Sequence, residues 1–157
     1  MWAGLIVALS VVVLDQLSKY WILYEFLGQN NYVPMSEIFN VVRAWNTGVS
    51  FSMLNNYGNL GVWILSALAI VIVLLLVGWL KNEKNRLVQI ALGFIMGGAL
   101  GNVIDRLRFG AVFDFLDFHV NDVHWPAFNL ADSFICVGAA LIIIHAVVEK
   151  FVKEKQK

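Results

Sequence analysis

The hydrophobic positions of this chain form four long runs, separated by polar connections of very different lengths. A membrane-spanning helix needs about 20 mostly apolar residues. Runs of roughly that length lie at about residues 2–23, 60–80, 87–104 and 128–148. The run at 60–80 carries no charged residue, and we interpret it as a structural helix without a role in chemistry. The pattern predicts an all-α membrane protein with four transmembrane helices, forming a single integral-membrane domain over residues 1–157.

The two longer polar connections are predicted at residues 25–59 and 105–127. The first contains two stretches of β-type composition, Val33-Pro34-Met35 and Phe39-Asn40-Val41-Val42. The segment Val49–Leu54 has the composition of a short amphipathic helix that lies in a membrane interface. We therefore expect a small extracytoplasmic cap of mixed β and helical structure.

The distribution of basic residues predicts the orientation of the four spans. Cytoplasmic loops carry an excess of Lys and Arg, and the short loop Lys81–Arg86 is basic. The C-terminal tail is basic as well, with Lys150, Lys153, Lys155 and Lys157. Both termini are then cytoplasmic, and both longer connections are extracytoplasmic. The polar ends of the first, third and fourth spans consequently meet at the outer face.

The composition excludes several classes of function. Hydrophobic residues make up 60% of the chain and charged residues 14%, with a formal net charge of zero, so nothing suggests nucleic-acid binding. The single cysteine, Cys136, excludes an intrachain disulfide and is interpreted as a packing residue. His119, Asp122 and His124 match no firm ligand spacing, so we predict no metal and no cofactor.

Polar and ionisable residues stand at the edges of two apolar runs. They are Asn102, Asp105 and Arg106 at the end of the third run, and Asn129 and Asp132 at the start of the fourth. Such groups are costly to place near a membrane and indicate function. Asn129 and Asp132 are three residues apart, which puts them on one helical face.

Two carboxylates close together share one proton, and such a pair can act as general base and general acid on a peptide bond without a metal. Asp132 is the firm member, because it lies within a span. Its partner is one of Asp105, Asp114 and Asp117, and spacing alone does not choose among them. Asp114 and Asp117 point to opposite faces if their segment is extended, and share a face if it is helical.

The first and third spans carry further features. Asp15 and Lys19 are four residues apart, so they share a helical face and are expected to neutralise each other while tying the first span to the Asn46 loop. Gly97 and Gly101 have the GxxxG spacing of a helix-packing seam.

Four sequence blocks, in this order, resemble the lipoprotein signal peptidases, also called signal peptidase II. The first is Asp15-Gln16-Leu17-Ser18-Lys19, and the second spans residues 46–52. The third joins residues 98–106 to 112–115, and the fourth is Phe128-Asn129-Leu130-Ala131-Asp132-Ser133. Together they span nearly the whole chain.

The resemblance implies that Asp114 and Asp132 form the catalytic dyad. It also implies a set of residues that shape and support the substrate pocket: Asp15, Lys19, Asn46, Gly48, Gly98, Asn102, Asp105, Arg106 and Asn129. Because Asp105 stands beside Arg106, we interpret these two residues as a structural ion pair.

The reaction implied by the resemblance is hydrolysis of the peptide bond just before a diacylglyceryl-modified cysteine in a bacterial prolipoprotein. The expected partners are lipidated signal peptides and membrane lipids, and the expected location is the bacterial cytoplasmic (inner) membrane, with the protein a monomer. One alternative is a small proton-coupled transporter with Asp15, Lys19 and Asp132 as a relay. A non-catalytic scaffold is the other. Polar groups at one interface and the lack of an inverted repeat argue against the transporter.

Overall fold

The computed structural model describes residues 1–48 and 59–155 of the chain. Its elements, in chain order, are α1 (Trp2–Tyr20, continued by a π-helical turn at Trp21–Phe26), β1 (Tyr32–Ser36), β2 (Phe39–Asn46), α2 (Asn59–Asn82), α3 (Arg86–Phe109), β3 (Val112–Val120), β4 (Val123–His124) and α4 (Leu130–Lys155).

Within the described residues, four helices are long and apolar enough to cross a membrane, as the hydrophobic runs predicted. Two boundaries near the polar clusters differ from the prediction. The third helix continues to Phe109, so Asp105 and Arg106 lie inside it rather than in a connection. The fourth helix begins at Leu130, which places Asn129 just before the first turn.

Helix α3 lies between α1 and α4, and its glycines allow close approach on both sides. A side chain at Gly97 would come within 2.6 Å of the Ala8 carbonyl oxygen on α1. A side chain at Gly98 would collide with the Ala131 carbonyl oxygen on α4. The predicted packing seam is therefore confirmed, and it brings the polar ends of three helices together.

In the part of the chain that the structure describes, an antiparallel sheet of four strands, in the order β1-β2-β3-β4, accompanies the helices. The predicted β-type stretches fall in β1 and β2. Val41, Phe113 and Phe115 pack with Leu27 in a small apolar core at the end of the first helix. The predicted amphipathic helix at Val49–Leu54 lies outside the described residues, and the position of the sheet outside the membrane stays a prediction.

The turn between α3 and β3 returns the chain towards the helix ends. Gly110 has a φ of 71° and its N–H donates to the Arg106 carbonyl oxygen at 3.0 Å, which ends α3 in a left-handed residue. β3 then runs antiparallel to β2, with Asp114 opposite Ala44. Because β3 is extended, Asp114 and Asp117 lie on opposite faces of the sheet.

Candidate active site

A pocket of about 420 Å³ opens between α2, α3, α4 and the sheet. Its polar lining consists of Asn46, Asn102, Arg106, Asp114 and Asp132. One wall is apolar and comes from α2, at Leu65, Leu68, Ala69 and Ile72. The second span was predicted as scaffold alone, so its part in the pocket is a correction. The apolar residues of this span look the same in the sequence whether they face lipid or a pocket, so the sequence did not indicate that they form a wall.

Asp114 is held by two amides. Its Oδ1 accepts from Asn129 Nδ2 at 2.7 Å, and its Oδ2 accepts from Asn46 Nδ2 at 3.2 Å. Only 3% of the residue is exposed. Burial, and secondly the negative charge of Asp132, raise the pKa of Asp114 to about 7, although both amide hydrogen bonds oppose this rise. Asp114 therefore holds a proton more readily than an ordinary aspartate.

Asp132 lies in the first turn of α4, facing Asn102 and Asn129. Its Oδ1 accepts from Asn102 Nδ2 at 2.8 Å, and its Oδ2 accepts from the backbone N–H of Asn129 at 3.2 Å. In return, the Asp132 N–H donates to Asn129 Oδ1 at 3.0 Å. These reciprocal bonds cap the helix, whose N-terminus favours a negative charge here. Asn129 lies just before the helix, and the two residues meet across their spacing of three, as the sequence predicted.

Behind the two acids lies a buried ion cluster centred on Lys19. Its Nζ is 2.9 Å from Asp15 Oδ2 and 2.9 Å from Asp105 Oδ2. The same Nζ donates to Asn102 Oδ1 at 3.1 Å. The predicted pairing of Asp15 with Lys19 is confirmed. Lys19 also reaches Asn102 on α3. Its predicted tie to the Asn46 loop, which continues beyond the described residues, stays a prediction.

The two carboxylates of this cluster also bind backbone groups next to the acids. Asp15 Oδ1 accepts the Ala131 N–H at 3.0 Å, beside Asp132. Asp105 Oδ2 accepts the Phe113 N–H at 3.1 Å, beside Asp114. The ion cluster therefore fixes the backbone on which each acid of the pocket stands.

Asp105 and Arg106 face different surroundings, although they are neighbours in the chain. Asp105 is buried and pairs with Lys19, so the predicted Asp105–Arg106 ion pair is wrong. One helical residue turns the side chain by about 100°, and Arg106 lines the pocket instead. Its Nε is buried and has no hydrogen-bond partner among the described residues.

Asp117 lies away from the pocket, on the other face of β3. Its Oδ2 accepts from Asn40 Nδ2 at 2.9 Å, and its Oδ1 is 2.8 Å from His124 Nδ1. Burial raises the pKa of Asp117, but the hydrogen bonds from Asn40 and His124 outweigh it and hold the pKa below its usual range. Of the three carboxylates considered as partners of Asp132, Asp114 is the one that lines its pocket.

The comparisons with known proteins identify the family of this chain. The family model described as Signal peptidase (SPase) II matches residues 7–148. The chain belongs to the signal peptidase II family. The lipoprotein signal peptidase of Serratia proteamaculans is 49% identical over 147 residues, covering 92% of this chain and 85% of the relative. That of Ralstonia nicotianae is 47% identical over 145 residues, covering 91% of this chain and 82% of the relative.

The fold of this signal peptidase II family member also closely matches a solved structure. A bacterial membrane enzyme determined by the in meso method at 2.3 Å resolution superposes with a TM-score of 0.82. Its sequence is 29% identical, and the match covers 100% of this chain and 94% of that chain. The resemblance at the four sequence blocks is thereby confirmed at the level of the family and of the membrane fold.

Two glycines of these signal peptidase II blocks have a visible structural role. The Gly48 N–H donates to Asn46 Oδ1 at 3.1 Å, which turns the amide nitrogen of Asn46 towards Asp114. Gly98 lets α4 approach α3, because any side chain there would collide with the Ala131 carbonyl oxygen. Gly98 therefore sets the position of Asp132, which follows Ala131.

Gln16 is a residue of this site that the sequence reading did not include. Its Nε2 donates to Asp105 Oδ1 at 2.9 Å, and its Oε1 accepts from Arg108 at 3.4 Å. In the sequence, Gln16 is a polar amide next to Asp15 within an apolar run. This position does not predict that the amide will hydrogen-bond to Asp105 on another helix.

Proposed function

We propose that this protein is an aspartic endopeptidase that removes the signal peptide from diacylglyceryl-modified bacterial prolipoproteins, cleaving just before the lipidated cysteine. The observation that carries the proposal is that Asp114 and Asp132 line one pocket, and that the side chain of Asn129 bonds Asp114 and the Asp132 N–H. The family relationship supports the substrate class, and it lends no support to a transporter.

In the proposed mechanism the two acids share one proton at working pH. Asp114 holds this proton, because its pKa is raised to about 7, and Asp132 acts as the base. Asp132 removes a proton from a water molecule as the water oxygen attacks the scissile carbonyl carbon. Asp114 gives its proton to the carbonyl oxygen, and a tetrahedral diol forms.

The second half of the reaction returns the dyad to its starting state. The proton taken by Asp132 passes to the leaving nitrogen, the carbon–nitrogen bond breaks, and Asp114 recovers its proton from the diol. One water molecule is added across the peptide bond, and no metal is involved. Arg106 supports the tetrahedral species, because it lines the pocket and its Nε–H has no hydrogen-bond partner among the described residues.

We place this reaction at the extracytoplasmic face of the inner membrane, with both termini of a monomeric chain in the cytoplasm. The support is the basic loop Lys81–Arg86 and the basic tail. The apolar wall on α2 suits a substrate that arrives through the lipid. A reporter fused to the C-terminus should read as cytoplasmic, and an external reading would reverse the proposed orientation.

The proposed function is tested by cleavage of a lipidated prolipoprotein peptide by purified, folded protein with a chelator present. Asp114→Asn and Asp132→Asn should each abolish turnover, and the double variant should be little worse, because the acids act as one unit. The control is Asp122→Asn in the exposed turn between β3 and β4, which should cleave normally. Near-normal turnover by folded Asp114→Asn would disprove the proposed dyad.

A further inference from the structure

A second groove, of about 430 Å³, adjoins the pocket of the two acids. The groove and the pocket share two lining residues, Asp132 and Ile135. The remaining lining residues of the groove are Trp125, Pro126, Ala127, Phe128, Ser133 and Cys136. The groove is therefore adjacent to the candidate active site, and Asp132 borders both spaces.

Ile135 forms the ridge between the two spaces. It stands one helical turn after Asp132, and its Cγ1 would lie 2.7 Å from a Cβ added at Gly98 of α3, so the missing side chain of Gly98 leaves room for Ile135. A ligand that passes the dyad on both sides must straddle this residue. Two separate apolar surfaces thus meet at one acid.

The two surfaces differ in length and in polar groups. The pocket runs along α2 from Leu65 to Ile72, a distance of about 10 Å along the helix. It also contains Asn46 and Arg106, which can bond a peptide backbone. In the groove, by contrast, the polar groups among the described lining residues are Asp132, the Trp125 indole N–H and Ser133, whose hydroxyl already donates to the Asn129 carbonyl oxygen.

The substrate of the proposed function, on which this inference rests, has two apolar parts on opposite sides of the cleaved bond. The apolar signal segment precedes the bond, and the residue after the bond carries the diacylglyceryl chains. An extended peptide advances about 3.3 Å per residue, so the two parts leave the dyad in opposite directions. Each part needs an apolar surface of its own.

We propose that the groove lined by Trp125, Phe128 and Cys136 binds the acyl chains of the diacylglyceryl group, while the α2 pocket receives the signal segment. Acyl chains need apolar surface and no hydrogen-bond partners, which is what the groove offers. The signal segment has peptide groups close to the dyad, which the polar side chains of the pocket can bond. The exposed Cys136 marks where the groove opens to the bilayer.

Cys136 is the single cysteine of the chain and reports directly on the groove. The test uses the Asp114→Asn protein, so that bound substrate is not consumed, and measures the alkylation rate of Cys136 by a lipid-soluble maleimide. A diacylglyceryl-modified signal peptide at about ten times its Kd should slow alkylation by about tenfold, since only the free protein reacts. The same peptide with S-methylcysteine in place of the lipidated residue should leave the rate unchanged.

Two relocated cysteines provide matched controls in the Asp114→Asn, Cys136→Ala background. Val137→Cys places the thiol on the next exposed residue of α4, outside the groove lining, and neither peptide should slow its alkylation. Ile72→Cys places it in the α2 pocket, and both peptides should slow its alkylation. Each variant is first shown to be folded by gel filtration and thermal unfolding.

A parallel cleavage assay on the unmodified enzyme separates this inference from the proposed function. If that enzyme cleaves the lipidated peptide while Cys136 reacts equally fast with either peptide bound, the acyl groove is disproved and the function stands. Lipid-dependent protection at Ile72→Cys instead of Cys136 would reverse the assignment and also disprove it. If the unmodified enzyme does not cleave, the proposed function fails, and the groove assignment with it.

Discussion

Asn129 donates its side-chain amide to Asp114 Oδ1 at 2.7 Å, from a position just before α4. The same side chain accepts the backbone N–H of Asp132 through Oδ1. It also contacts Asn102 Oδ1 at 3.1 Å, which Lys19 approaches from the other side. A single buried amide therefore sets the relative position of the two acids and connects them to the ion cluster.

Replacing Asn129 by Ala should reduce kcat more than it changes KM. A hydrogen bond to a charged or proton-sharing group is worth about 2 kcal/mol, which corresponds to a loss of about 30-fold in rate. Steady-state kinetics on a lipidated peptide measure the split. Asn30→Ala, at an exposed position, is the control and should be normal. An unchanged kcat in folded Asn129→Ala would show that this amide does not position the dyad.

The raised pKa of Asp114 predicts that cleavage falls as the pH rises through about 7, because the pair then loses its shared proton. The same shift affects stability. A carboxyl whose folded pKa lies above its ordinary value contributes stability below that ordinary value, and this contribution is lost as the pH rises through the folded pKa.

Thermal unfolding of the purified protein tests the stability effect. The Tm of Asp114→Asn should exceed that of the wild type by less at pH 5 than at pH 8, because at pH 5 the folded Asp114 is still neutral and only its unfolded form is ionised. At pH 8 the Asn variant should be the more stable, since it avoids burying a charge. An equal Tm difference at both pH values would contradict the raised pKa.

Replacing Lys19 by Met should lower the yield of folded protein more than the rate of the chemical step. The change leaves the buried carboxylates of Asp15 and Asp105 without their cation, and breaking a buried pair in this way costs about 3–5 kcal/mol. Lys84→Met in the exposed loop is the control. Normal Tm with a roughly thousandfold lower turnover, about 4 kcal/mol in the barrier, would instead place Lys19 in the chemistry.

Gly98→Ala should lower both the Tm and the turnover. The new methyl group would collide with the Ala131 carbonyl oxygen, so α4 must move away from α3 and carry Asp132 with it. Gly78→Ala offers the matched control on α2, because nothing lies within 4 Å of a side chain there. That variant should gain up to about 1 kcal/mol from helix propensity. Equal behaviour of the two variants would show that the seam tolerates a larger residue.

Much of this protein follows from local properties of its sequence. The four helices follow from the lengths of the apolar runs, and β1 and β2 follow from short β-type stretches between two of them. Asp132 stood out because a carboxylate at the start of an apolar run is costly, wherever the rest of the chain lies. The Asp15–Lys19 pair followed from helical spacing alone.

The partners across elements were decided only by the tertiary structure. By spacing, Asp105, Asp114 and Asp117 were equal candidates, because spacing does not report distances between separate helices and strands. The family resemblance alone favoured Asp114. The left-handed turn at Gly110 and the extended β3 bring Asp114 to the pocket, and turn Asp117 away from it.

Similarly, α1 packs closely against α3 at their glycine seam. Asp105 therefore forms an ion pair with Lys19 on α1 and not with its chain neighbour Arg106. Hydropathy and spacing are properties of one segment, whereas the choice of partner depends on how closely two segments pack. In this chain, the glycines of α3 set the distance between the helices, because they have no side chain to hold the neighbouring helix away.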